Sequence, residues 1–326
     1  VIVQYLPAPS GGKLDCTVQL GKDPGMHFPG DMTFINNSNE QYLNMRVIYP
    51  NPTATGNAGY EGVTRVVANG GTVQYANDAL QVTGADWLML LTRIEKYYKD
   101  CQVEWDKKQI QAELAKLPTD YDNLLQGQKQ THTEIYNRVT LDLNAPAEDR
   151  SKANEQLLAE QRASAVPNLA LYERMFDAGR YHYLCSSGEL GPPDLLGIWT
   201  GDCNVGWSGY YHMDANLNLQ ISGAVLGNML ETMEGYFNAM DGWSEGFRVN
   251  AEKLLGCRGL LAAGNTPLPT PVRISGLISD IRNRYYPYQY VTGEMSWLLQ
   301  PYWEYYQVTG DTDFLRNRLY PLLREV

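Results

Sequence analysis

The sequence predicts a multidomain chain that is β first and α afterwards: a partial antiparallel β-sandwich, a helical linker, and helices set out as a barrel or toroid. Three observations carry this prediction. Up to about Thr92, short β-branched or aromatic runs alternate with clusters of Gly, Pro and Asn, as strands and tight turns do. Around Ile94 the chain becomes charged and poor in glycine, and its apolar residues recur at helical spacing. From about Asn154, helix-length periodic segments are separated by loops with Gly and Pro, and no fixed period marks a solenoid.

The runs Val1 to Leu6, Leu14 to Leu20, Met32 to Ile35, Leu43 to Tyr49, Val63 to Val67, Thr72 to Tyr75, Leu80 to Val82 and Trp87 to Leu91 are the predicted strands. No helical crossover separates them, so the sheet is an antiparallel meander, and it begins as a truncated sandwich would. In the next stretch Ile110, Leu114 and Leu117, then Tyr121, Leu124 and Leu125, mark two helices. Pro118, Thr119 and Asp120 supply the stop and the N-cap between them. A strand is predicted over Tyr136 to Leu143, and the polar stretch Asn144 to Lys152 marks the boundary. The expected division is 1–93 for the sheets, 94–153 for the linker and 154–326 for the helical region. Helices are predicted over Leu157 to Ala163, Leu169 to Cys185, Asn218 to Tyr236, Trp243 to Leu255, Met295 to Thr309, and from Phe314 onward.

With 326 residues, 44% of them apolar, the chain can bury a sizeable core, which excludes disorder and the disulfide-miniprotein class. Its 37 acidic and 26 basic residues give a net charge of -11. The basic residues are scattered, so a nucleic-acid partner is not expected. No apolar run is long enough to span a bilayer, and no membrane partner is expected either. Cys16, Cys101, Cys185, Cys203 and Cys257 lack metal-ligand or redox spacing and read mostly as small core residues, although Cys185 and Cys203 could pair. Asn36-Asn37-Ser38 is a glycosylation sequon. The first residue is Val1, and Val326 falls inside a helix-like run, so both ends read as cut.

Tyrosine (23) and tryptophan (7) far outnumber phenylalanine (6). Rings with a polar edge suit sugar recognition as well as ordinary packing. Their densest groups are Tyr210-Tyr211, Tyr285 to Tyr290 and Tyr302 to Tyr306, the last of which also reads as a packed helix face. In Asp214-Ala215-Asn216-Leu217-Asn218-Leu219-Gln220 polar side chains alternate with small or apolar ones. If that segment is extended, Asp214, Asn216 and Asn218 line one wall and offer acceptors and donors to sugar hydroxyls or a water. The plainer reading is an Asx-rich loop that caps a helix. Asp311 and Asp313 follow a glycine helix stop and read as an N-cap rather than a calcium loop. His27, His132, His182 and His212 are far apart, and neither a metal nor a cofactor is expected. Glu294 and Glu304 are carboxylates near aromatics, unmarked as a pair by their spacing.

The order of several segments resembles the family 95 glycoside hydrolases, the α-L-fucosidase and α-L-galactosidase group. Carrying it are Tyr181-His182-Tyr183-Leu184-Cys185-Ser186-Ser187, Leu195-Leu196-Gly197-Ile198-Trp199, Asn216-Leu217-Asn218-Leu219-Gln220, Arg258-Gly259 with Asn265-Thr266, Trp297-Leu298, and Tyr302-Trp303-Glu304-Tyr305-Tyr306 with Thr309-Gly310-Asp311. The resemblance implies a β-sandwich, a helical linker and the first part of an (α/α)6 barrel. It implies hydrolysis, with inversion, of terminal α-linked L-fucose or L-galactose on an oligosaccharide or glycan, and hence an extracellular or periplasmic location. By that resemblance Asn216 and Asn218 hydrogen-bond the attacking water, and His212, Asp214 and Asn265 face the sugar. The general acid and a catalytic Asp are expected beyond residue 326. Three departures stand out: Asp214 occupies a position where the family commonly has His or Thr, Ile221-Ser222-Gly223-Ala224-Val225 replaces an aromatic-bearing run, and Ala263-Gly264 replace a histidine pair. These departures leave open a carbohydrate-binding or scaffold protein without turnover, and, more remotely, a lyase or phosphorylase on the same fold.

Overall fold

The computed structural model describes residues 1–23, 25, 31–51, 57–98, 107–201, 205–270, 274–278, 291 and 293–326. His27, Cys101, Cys203 and Tyr285 to Tyr290 lie outside the described residues. The chain divides into two compact units. One comprises Val1–Gln128 with Gly201–Gly206 and Thr270–Arg273; the other comprises Lys129–Thr200, Trp207–Pro269 and Ile274–Val326.

In the first unit, eight strands form two antiparallel sheets. The strands are β1 (Ile2–Pro7), β2 (Leu14–Val18), β3 (Thr33–Asn36), β4 (Tyr42–Ile48), β5 (Asn57–Asn69), β6 (Thr72–Ala76), β7 (Ala79–Ala85) and β8 (Trp87–Tyr98). The large sheet has the order β1-β8-β5-β4-β3 and the small one β2-β7-β6. Residues of both sheets, among them Leu43, Val66, Leu80, Val82 and Leu88, share one core. Along β8, Leu88 and Leu90 face that core while Met89 and Leu91 face the opposite side, so the unbroken apolar run from Trp87 is a strand buried on both faces.

The opposite side of the large sheet is covered by α1 (Lys107–Ala115), whose Ile110 and Leu114 pack with Tyr42, Val63, Met89 and Leu91. The first helix of the expected linker is therefore part of the sheet unit. Arg65 on β5 donates from its guanidinium to the carbonyls of Leu114 (3.0 Å) and Leu117 (3.1 Å), satisfying acceptors that the helix end leaves open. Strand β5 is much longer than Val63 to Val67. Gly59 lies at φ +154°, and a Cβ there would meet the Val47 carbonyl at 2.0 Å and the Tyr97 ring at 2.6 Å. Gly59 is thus a point of close approach inside the sheet.

The chain passes to the second unit within α2 (Tyr121–Tyr136). The strand predicted over Tyr136 to Leu143 does not form, because the backbone there finds side-chain partners instead of a neighbouring strand. Leu143 donates its N–H to the buried Glu173 carboxylate (2.7 Å), and Arg150 holds the same carboxylate with two bonds of 2.8 Å. Then follow α3 (Ala147–Ser151), α4 (Asn154–Arg162) and α5 (Leu169–Ser186); Asn168 caps α5 by accepting from the Leu171 N–H.

Beyond these lie the short strand β9 (Tyr211–His212), α6 (Asn216–Ile221), α7 (Gly223–Leu226), α8 (Met233–Asn250) and a π turn at Ala251–Leu255. Strand β10 (Asn265–Thr266) precedes α9 (Glu294–Leu298), α10 (Gln300–Thr309), α11 (Thr312–Phe314) and α12 (Tyr320–Leu323). The predicted helices Asn218 to Tyr236 and Trp243 to Leu255 are thus redistributed: the first breaks near Ser222 and Gly227, and the second begins ten residues earlier. Helix α8 buries Tyr236, Phe237, Met240, Trp243 and Phe247 at helical spacing. Around them gather Leu217, Ile221, Met295, Leu298, Tyr302 and Leu319. Each such buried side chain contributes about 1.5–3 kcal/mol of transfer free energy. The buried tyrosines are satisfied internally: Tyr236 donates to the Leu298 carbonyl (2.6 Å) and Tyr302 to that of Phe237 (3.3 Å).

Gly310 ends α10 in a left-handed conformation, and the Asp311 carboxylate accepts from the N–H groups of Asp313 and Phe314, so these aspartates form a cap. Of the described cysteines, Cys16 and Cys185 are half-buried free thiols, Cys16 packing against the core shared by the two sheets, and Cys257 is exposed. Among the described residues no helix is long and apolar enough to cross a membrane.

Candidate active site

The site is built on the antiparallel pairing of β9 with β10, which sets His212 opposite Asn265 and Tyr211 opposite Thr266. A further bond from the Met213 N–H to the Gly264 carbonyl (2.8 Å) extends the ladder. The chain then turns through Met213, Asp214 and Ala215 into α6. The alternating segment is therefore helical from Asn216 and not extended. Residues two apart on a helix diverge by about 200°, so Asn216 and Asn218 do not share a wall. Asn216 is half-buried and makes no side-chain hydrogen bond among the described residues. Asn218 is 7% exposed; its amide Nδ2 donates to the Trp297 carbonyl at 2.6 Å, and its Oδ1 accepts from the Tyr236 hydroxyl at 3.4 Å. Gln220 donates to the Asp194 carbonyl (2.6 Å).

Glu294 opens α9 immediately after Gly293, which sits at φ +87°. It is 4% exposed, and neither carboxylate oxygen has a hydrogen-bond partner among the described residues. Burial pushes its carboxyl up to about 8, with the nearby charge of Asp214 acting in the same direction. Asp214 itself is exposed. Asp194 is likewise raised, by burial, against the opposing effects of the Leu196 N–H, which it accepts at 2.8 Å, and of His212.

The Nδ1 of His212 is buried without a partner among the described residues. Its ring meets Trp207 edge to face, with centroids 5.6 Å apart. Trp207 is 65% exposed and has a positive φ of 56°, a conformation that bulky residues adopt at a cost and chiefly where function demands it.

The arrangement offers an exposed carboxylate, an imidazole, a carboxamide with no hydrogen bond among the described residues and an open indole face, with the buried Glu294 carboxyl near Asp214 but out of solvent. Such a set can hold a hydroxylated ring by donors, acceptors and stacking. His212 and Asn265 are brought together by register, and Asp214, 80 residues before Glu294 in sequence, lies near enough for its charge to act on it. Glu304, by contrast, accepts from Gln300 on an exposed helix face. Asp194 and Trp207 escaped the sequence reading because neither sits in a marked pattern. No group of three or more His, Cys, Asp or Glu side chains that could hold a metal occurs among the described residues.

By fold, this is a protein of antiparallel sheets followed by helices. It shares that arrangement with a solved structure described as a kojibiose phosphorylase from the human microbiome, at a TM-score of 0.55 and 11% identity over 89% of this chain and 35% of that one. At such identity the likeness is one of fold alone. The chain belongs to glycosyl hydrolase family 95: the family's catalytic domain matches residues 120–326, a stretch that includes β9, α6, β10 and α9. Alpha-L-fucosidase 2 from Arabidopsis thaliana is 27% identical over 278 residues, 79% of this chain and 31% of its own length. Probable alpha-fucosidase A from Aspergillus niger is 27% identical over 214 residues (63% and 25%), and its namesake from Aspergillus oryzae is 30% identical over 135 residues (39% and 19%). The chain spans about a third or less of the length of these curated relatives.

Proposed function

We propose that the protein carrying this chain is a glycoside hydrolase that removes terminal α-linked L-fucose or L-galactose from oligosaccharides with inversion, and that 154–326 form the first part of its (α/α)6 barrel. The observation that carries the reading is the match of the family 95 catalytic domain over 120–326, which takes in every candidate site residue. In this reading Asn216, whose amide makes no hydrogen bond among the described residues, positions the attacking water. Asn218 supports it by tying α6 to α9 through the Trp297 carbonyl. Asp214, His212 and Asn265 face the sugar, with Asp214 as a charged acceptor for its hydroxyls. Substrates of this kind lie outside the cytoplasm, and an extracellular or periplasmic location goes with the reading.

The full-length protein should release sugar from an aryl α-L-fucoside or α-L-galactoside, and proton NMR during turnover should show the β-anomer forming first. Failure to turn over either glycoside, or first release of the α-anomer, would overturn it.

A carbohydrate-binding protein without turnover is the second reading. The commitment of the Asn218 amide to a backbone carbonyl favours it, since only one carboxamide of the pair is then free for water. Calorimetric binding of L-fucose by a protein that releases no product would decide for it.

A further inference from the structure

Glu294 is a buried carboxyl group with no charged partner among the described residues. An ionised carboxylate that is 96% buried ordinarily has a cation or several N–H donors, because removing it from water costs several kcal/mol. Here neither oxygen has a hydrogen bond among the described residues. Among the described residues the groups around α9 supply no positive charge, and the Val291 backbone N–H is the one influence that favours the ionised form. From the turn ahead of α6 comes the Asp214 carboxylate. From α8 comes the Tyr236 hydroxyl, which donates to the Leu298 carbonyl. On α10, Glu304 is engaged by Gln300 at the exposed face. The segment cannot readily swing out, because Asn218 and Tyr236 pin the carbonyls of Trp297 and Leu298 at 2.6 Å each.

Resting on the glycosidase reading above, we propose that Glu294 is a positioning residue that keeps its proton in the working enzyme, so that Asp214 alone carries charge on the sugar-facing wall. A neutral acid behind Asp214 adds no repulsion, and its O–H can be donated to Asp214 or to a water. An ionised one would place a second, buried like charge near the exposed Asp214 and drive Asp214 away from the sugar. The upward shift to about 8, caused by burial and by Asp214, agrees with the geometry.

The test uses the full-length protein. In wild type, kcat/KM for an aryl α-L-fucoside should fall about tenfold per pH unit above a limb near pH 8. Glu294→Gln, which is neutral at every pH, should hold kcat/KM within about threefold of wild type near pH 6.5 and lose that limb. Glu294→Asp should keep it. An infrared difference spectrum, wild type minus Glu294→Gln at about pH 6.5, should contain the carbonyl stretch of a protonated carboxylic acid. In Asp214→Asn, the titration midpoint of that band should move to lower pH, a reading that does not depend on the Glu294 variants folding.

Loss of more than about 100-fold in a folded Glu294→Gln at all pH values, an unchanged alkaline limb, or absence of the infrared band would each overturn the proposal. A band that titrates as described in a protein that hydrolyses no glycoside would leave the proton assignment standing and remove the hydrolase reading instead.

Discussion

The carboxamide of Asn218 donates to the backbone carbonyl of Trp297 at 2.6 Å, and through this bond the helix that begins at Asn216 is tied to the helix that begins at Glu294. The two asparagines of the Asn-x-Asn pair therefore differ: Asn218 ties two helices, and Asn216 makes no side-chain hydrogen bond among the described residues. Asn218→Ala should cost about 1–3 kcal/mol, because it strands a partly buried carbonyl and removes a buried amide's partners. Asn216→Ala should stay within about 0.5 kcal/mol of wild type while abolishing most turnover. Urea unfolding alongside assays on an aryl α-L-fucoside checks both; equal stability losses would show that the two side chains are not divided in this way.

How much of this was legible in sequence follows from how local each interaction is. Strand β8 declared itself because both its faces are buried, and Trp87 to Leu91 reads as one apolar run. The Asp311 cap was visible because its partners lie two and three residues away. The Asn218 to Trp297 bond spans 79 residues, and the encounter of Glu294 with Asp214 spans 80, so no spacing rule could reveal either. The family resemblance found Asn216 and Asn218 by type. It could not tell that α6 is helical and turns them apart.

A glycine weakens a helix locally but permits close contact between distant segments. Within α8, a Cβ at Gly235 would lie 1.9 Å from the Gly188 carbonyl oxygen, and one at Gly246 would lie 2.0 Å from that of Ser275. Gly179, in the exposed part of α5, has nothing within 4 Å of the same position. Gly179→Ala should stabilise by about 0.5–1 kcal/mol through lowered chain entropy. Gly235→Ala and Gly246→Ala should destabilise by about 3 kcal/mol or more, because backbone must move. Thermal melts of the three variants provide the comparison, and a raised Tm for Gly246→Ala would contradict the packing described.

Arg65 joins the large sheet to α1 through the carbonyls of Leu114 and Leu117. Arg65→Met keeps much of the aliphatic volume and removes the donors, at an expected cost of about 1.5–3 kcal/mol for charge-assisted bonds. The loss should be local first. Amide exchange should accelerate in Lys107–Ala115 more than in β8, whereas uniform acceleration across the sheet would mean that α1 and the sheet open together and that Arg65 is not the tie.

Glu294 also ties stability to pH, in a direction opposite to that of an ion-paired carboxylate. Its carboxyl titrates near 8 when folded, against an ordinary value of 4.5. Between those values the native state holds a proton that the unfolded chain has released, so stability falls as pH rises through the window and levels off above it. Each pH unit inside the window costs about 1.4 kcal/mol for a fully differential proton. Glu294→Gln exchanges no proton, and the stability of wild type relative to this variant should therefore decline steadily between about pH 5.5 and about pH 7.5. Urea unfolding at three pH values measures the gap. A gap that stays constant would mean that Glu294 is ionised in the folded state, and that an unseen donor or cation compensates its burial.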